Sequence, residues 1–275
     1  MNRRRCLLPL LLGLCGLVGG GASLEAAADE LAEAGTTLPT LTPSARSRVV
    51  DEAIDILGGF TNVVSRWNAP IRFAVIGGTA GGGAETARTT IADVTAQSAL
   101  PLVSIEAEEE VEAYLAARRR ASADALSACD RRGRCANFIV LIAELAAMRE
   151  LAEVIPLREV YRRSLEVDGE VHCFFAPFLN RRREIVRAFV FVQADLPPAL
   201  RNTCLVEEIY QSFGLFGDVT GSRHFSFDNR VKPKRVTAFD RALLASLYAP
   251  GIGPGSPVFA VLDRFVRRLG PATAR

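Results

Sequence analysis

The chain has 275 residues, 33 of them Lys or Arg and 31 Asp or Glu, for a formal net charge of +2. With 49% hydrophobic and 23% charged residues it carries enough apolar mass for a buried core, and its charge content excludes a disordered or nucleic-acid-binding tail. Setting aside residues 1–28, which hold Arg3, Arg4, Arg5 and Glu25, leaves 30 basic and 30 acidic residues. Bulk charge therefore argues for neither a nucleic acid nor an anionic membrane as partner.

Those first 28 residues pass from a basic start (Arg3 to Arg5) through an apolar run (Cys6 to Val18) to small residues ending in Ala26-Ala27-Ala28. That is the layout of a secretory signal, with cleavage expected after Ala28. The apolar run is shorter than the ~20 residues that span a bilayer and contains Pro9. The expected location is periplasmic or secreted, with no membrane association once the signal is gone. Residues 29–43 read as a loose leader and 44–275 as one domain. Export leaves four cysteines, Cys129, Cys135, Cys173 and Cys204, an even number that favours disulfides in an oxidising compartment. Three pairings are possible. The favoured one joins Cys129 to Cys135 and Cys173 to Cys204, the latter closing a loop of about thirty residues and contributing about 3–4 kcal/mol.

Apolar spacing predicts a helix over Ser44–Leu57, a strand over Pro70–Ile76, a helix over Ala84–Ala99 and a strand over Leu102–Glu106. One or two helices follow over Ala107–Leu126, then a buried-type strand over Asn137–Ala143 and helical character over Glu144–Glu166. Glu170–Ala176 and Glu184–Gln193 read as paired strands around the turn Asn180-Arg181-Arg182-Arg183. Helices are expected over Thr203–Phe213, Thr237–Tyr248 and Ser256–Leu269, which makes the class α+β. The glycine-rich run Gly77–Gly83 lies between a strand and a helix, yet lacks the Gly-Lys-Ser/Thr ending and any G-x-G-x-x-G register, so it reads as a flexible surface loop.

The chemistry concentrates in Cys204-Leu205-Val206-Glu207-Glu208-Ile209-Tyr210-Gln211-Ser212-Phe213-Gly214-Leu215-Phe216-Gly217-Asp218. On a helix, Leu205, Val206, Ile209, Tyr210 and Phe213 share one face and Glu207, Glu208 and Gln211 the other. The spacing Glu-Glu-x-x-Gln-x-x-Gly-Leu matches, with substitutions, the His-Glu-x-x-His helix of zinc peptidases, in which two His one turn apart bind zinc and the Glu is the general base.

This segment resembles an uncharacterised family of secreted bacterial proteins, domain of unknown function 2927, itself distantly similar to the metzincin-type zinc peptidases. Trp67-Asn68-Ala69-Pro70-Ile71-Arg72, Ser222 with Phe227-Asp228-Asn229, and Asp240-Arg241-Ala242-Leu243-Leu244 leading to Leu247-Tyr248-Ala249-Pro250 carry the same resemblance, which covers about residues 45–255. It implies a zincin-like single domain, with a mixed sheet packed on helices, a helical C-terminal part and a helix lying beneath the metal site. Against that pattern Glu207 and Gln211 replace both zinc-binding His, Gly217 stands at the third ligand position and Asp218 one residue late. Glu208 alone is unchanged. A lone carboxylate pair and a neutral amide are poor zinc ligands. No cofactor is expected, and zinc is the metal that the motif would suggest, with Glu207, Gln211, Asp218 and His224 as the candidate ligands. The expected function is a non-catalytic binding or scaffolding module of the cell envelope, with an unknown protein or peptide partner. The alternative is an active hydrolase in which Glu208 is the general base and Glu207 and Gln211 bind substrate. A third reading makes the two glutamates the exposed face of an amphipathic helix.

Overall fold

The computed structural model describes residues 38–58, 61–78, 80–105, 111–120, 134–155, 172–227 and 236–272. From Leu38 onward the chain forms one compact unit. Its strands are β1 (Arg66–Trp67), β2 (Ile71–Gly77), β3 (Leu102–Ser104), β4 (Phe138–Ala143), β5 (Cys173–Leu179) and β6 (Glu184–Gln193). The helices are α1 (Pro43–Gly58), α2 (Gly83–Ser98), α3 (Val111–Arg120), α4 (Leu145–Val154), α5 (Pro198–Gln211), α6 (Ala238–Leu247) and α7 (Val258–Arg268).

Helices and strands thus share one domain around a mixed sheet. β2 pairs in parallel with β3 and with β4, β4 with β6, and the two-residue β1 with the start of β6. β5 alone runs antiparallel, paired with β6 through the hairpin turn at Asn180–Arg183. The unbroken apolar run Phe-Ile-Val-Leu-Ile-Ala of β4, buried at every position, is what a central parallel strand covered on both faces requires. Alternation then sorts the side chains. Phe73, Val75, Phe138, Val140, Ile142, Val190 and Val192 join the core built with α1, α2, α5, α6 and α7. Ala74, Ile76, Ile139, Leu141, Phe189 and Phe191 join a second core with α3 and α4.

Most expected elements recur with ends moved by a few residues. The helix expected from Thr203 begins at Pro198, whose ring is pre-set for a first helical turn. The third and fourth helices are described only to Arg120 and Val154, and Cys129 and Asp228 lie outside the described residues. The glycine-rich run is packed rather than loose: Gly77 and Gly78 lie against Ile142 of β4, and Arg201 of α5 donates to the Gly81 carbonyl at 2.7 Å. Cys173 and Cys204 form the expected disulfide, tying β5 to α5, and Cys135 is also disulfide-bonded. Among the described residues no helix is long and apolar enough to cross a membrane.

Candidate functional site

α5 lies against α2, β5 and β6. At 100° per residue, Cys204, Glu207, Glu208 and Gln211 occupy a stripe about 100° wide, and the bond from Cys204 to Cys173 turns that stripe toward β5. Glu207, Glu208 and Gln211 are 5%, 8% and 4% exposed, so the reading of a solvated acidic helix face is overturned. The opposite face carries Leu205, Ile209, Tyr210 and Phe213 into the core, and the helix is therefore covered nearly all round.

The turn after α5 brings a predicted residue back to the stripe. Gly214 takes φ +108°, and a Cβ there would meet the Ser65 carbonyl at 2.2 Å, so only glycine fits. Trp67 Nε1 donates to the Ser212 carbonyl at 3.0 Å. The Tyr248 hydroxyl at the end of α6 donates to Phe213 O at 3.0 Å and accepts from the Trp67 amide at 3.1 Å. Gly217 then passes so close to α1 that a Cβ would stand 2.1 Å from Asp55 O, while its amide donates to Ile56 O at 2.9 Å. The chain emerges at exposed Asp218, whose Oδ1 accepts from Gln211 Nε2 at 2.6 Å. Phe216 of this turn stacks on Phe175 of β5, with ring centres 5.6 Å apart.

Gln211 and Asp218 are thus joined directly, and Glu207 and Glu208 share their stripe. His224 is held elsewhere. Its Nδ1 lies 3.2 Å from Glu52 Oε2 on α1, its ring meets Phe239 edge-on, and Ser222 Oγ donates to the same Glu52 oxygen at 3.0 Å. Among the described residues no group of three or more His, Cys, Asp or Glu is arranged to hold a metal ion.

Two buried polar groups that motif reading missed anchor the site from below. Tyr210, on the core face of α5, donates to Asp93 Oδ2 of α2 at 2.6 Å, and Arg241 of α6 lies 3.4 Å from the same oxygen. Burial first, and Asp93 second, push the Tyr210 hydroxyl well above the usual phenol range, so it remains a donor. Asp240 is fully buried and caps α6: its Oδ2 accepts from the Thr237 amide at 2.6 Å and its Oδ1 from the Ser226 amide at 3.0 Å. Burial raises its carboxyl to about 6. The Thr-x-x-Asp spacing at 237–240 was the available signal for this cap.

No curated protein and no solved structure matches this chain. Residues 50–262 match the family described as protein of unknown function, DUF2927. That match covers most of the chain and includes α5 with its returning turn, so the protein belongs to the DUF2927 family.

Proposed function

We propose that this protein is an exported, non-catalytic binding or scaffolding module of the cell envelope, built on a degenerate zincin-like, metzincin-type fold. The observation that carries the reading is the 2.6 Å contact from Gln211 Nε2 to Asp218 Oδ1. Gln211 stands at the second zinc-ligand position of the peptidase helix, and Asp218 is the carboxylate nearest to the third. The amide donates its proton to the very group that would have to share a metal with it. The donors do not fit zinc: Glu207 and Gln211 offer no imidazole, and the imidazole of His224 is engaged by Glu52. The supporting architecture persists without it, since Tyr248 at the end of α6 props the turn after α5, in keeping with a helix beneath the site. The half-buried Phe175–Phe216 stack on the turn after α5 offers apolar contact area to a protein or peptide partner.

A specific observation favours one second reading. Glu208 is buried on the stripe that also carries Glu207 and Gln211, where a carboxylate could serve an altered hydrolytic site as general base. Purification without chelator, followed by metal analysis and assays on casein and cell-wall peptides, separates the two. The binding-module reading expects substoichiometric metal and no hydrolysis. Stoichiometric zinc, or a hydrolytic activity that Glu208→Ala abolishes, overturns it in favour of the hydrolase.

A further inference from the structure

β2 is the topological switch of the sheet. Its crossover through α2 leads to β3 on one side, whereas the return through α3 leads to β4 on the other. α2 packs in one core and α3 in the opposite one, so the two connections leave on opposite faces, the arrangement that in open parallel sheets places a crevice beyond the carboxyl ends of the strands at the switch. Open parallel sheets bind ligands in that crevice. Here it is occupied by the glycine run. Gly77, Gly78, Gly81 and Gly82 all take φ between +70° and +78°, a left-handed backbone that glycine adopts without strain.

The run ends at the first turn of the 16-residue helix α2, whose capping position is Gly82; no side chain caps it, and the Ala84 amide donates back to the Gly78 carbonyl at 3.0 Å. Arg201 closes the crevice from beneath. It is 6% exposed and donates through Nη1 to Ala194 O, just past β6, at 3.0 Å and through Nη2 to Gly81 O at 2.7 Å. Nε is buried without a hydrogen-bond partner and stands 3.2 Å from where a Gly83 Cβ would be, so the Nε–Nη2 edge of the guanidinium faces the loop. Both of its partners are neutral carbonyls, and among the described residues no carboxylate pairs with it. A buried cation and the positive end of a helix dipole therefore act in the same direction on the same glycine loop, where no side chain keeps a ligand off the backbone.

We propose that Gly81–Gly83, the N-terminus of α2 and Arg201 form a binding site for a phosphate oxyanion, either free or as a monoester. The loop has no lysine and no hydroxyl at the P-loop positions, so the ligand class is a small phosphate bound by backbone amides and a fixed positive field, not a magnesium nucleotide.

The test is calorimetric and ³¹P NMR titration of the purified protein, with inorganic phosphate in one arm and glycerol phosphate in the other. Saturable binding with Kd at or below about 1 mM in either arm is expected. The tighter arm identifies the free ion or the ester as the better ligand. Two variants at exposed Gly82, where a Cβ meets nothing within 4 Å, localise the binding. Asn tolerates the left-handed backbone, so Gly82→Asn should retain affinity within about threefold. Gly82→Asp adds the same shape with a negative charge and should weaken binding about tenfold or more. Thermal melting in phosphate-free buffer checks that both variants are folded. No saturable binding in either arm, or equal affinity in the two folded variants, overturns the proposal.

Discussion

The buried carboxylate of Asp240 should make the protein lose stability as pH rises through the weakly acidic range. Two backbone amides and its own capping box favour the ionised form, yet full burial outweighs them and raises the carboxyl from 3.8 to about 6. Between those two values the folded chain holds a proton that the unfolded chain has released. Stability is then greatest below about pH 4, falls as pH rises toward 6 and is independent of this residue above it. Each pH unit in that window is worth about 1.4 kcal/mol, so the loss totals about 3 kcal/mol. The assay is urea unfolding at half-unit steps from pH 3.5 to 7.5, for the native protein and Asp240→Asn. The amide keeps one acceptor but turns a donor toward a backbone N–H, so the variant should be less stable at pH 4 by more than the ~1–2 kcal/mol that a lost hydrogen bond costs. Its deficit should shrink by about 3 kcal/mol as pH passes from 4 to 6. Parallel stability curves for the two proteins across that window would refute the reasoning, because every other titrating group is common to both.

Two further outcomes bear on how α5 and its turn are held. Gly214→Ala should cost at least ~3 kcal/mol, because a positive φ is combined with a Cβ 2.2 Å from the Ser65 carbonyl, whereas Gly251→Ala, at φ +84° in open space, should cost only ~1 kcal/mol. Equal midpoints in urea would show that backbone strain alone, and not the close approach, sets the cost. Replacing Cys173 and Cys204 together by Ala should remove about 3–4 kcal/mol, from a loop with a sequence separation of 31. A loss under ~1 kcal/mol by the same measurement would mean that packing of α5 on β5 holds the stripe without the bond.

Much of this architecture is written in local pattern. The buried apolar runs of β4 and β6 and the amphipathic spacing of α2 and α6 each follow from a pattern that a few consecutive residues display. The turn after α5 was legible in Gly214, and the pairing of Cys173 with Cys204 in a strand followed by the start of an expected helix, although Cys204 falls in the middle of α5. β1 escaped because two residues carry no period. The sheet's parallel pairing escaped for a different reason: local alternation says which face a residue takes, but strand order depends on crossovers between elements distant in sequence.

The candidate site divides along the same line. Sequence alone determined the chemistry available: two adjacent glutamates, an amide on the same helical stripe, and a carboxylate seven residues beyond that amide. Only the tertiary structure decided their setting. Helical periodicity put Glu207, Glu208 and Gln211 on a polar face and so suggested solvent, whereas the disulfide turns that face toward β5 and the returned turn joins Gln211 to Asp218. The same holds for Arg201, an ordinary helix residue by pattern, which the sheet's switch point places under a glycine loop more than a hundred residues away. A side chain's type is local information. Its burial, its partner and its uncompensated charge depend on which distant segments close over it, and those contacts arise from packing the whole chain.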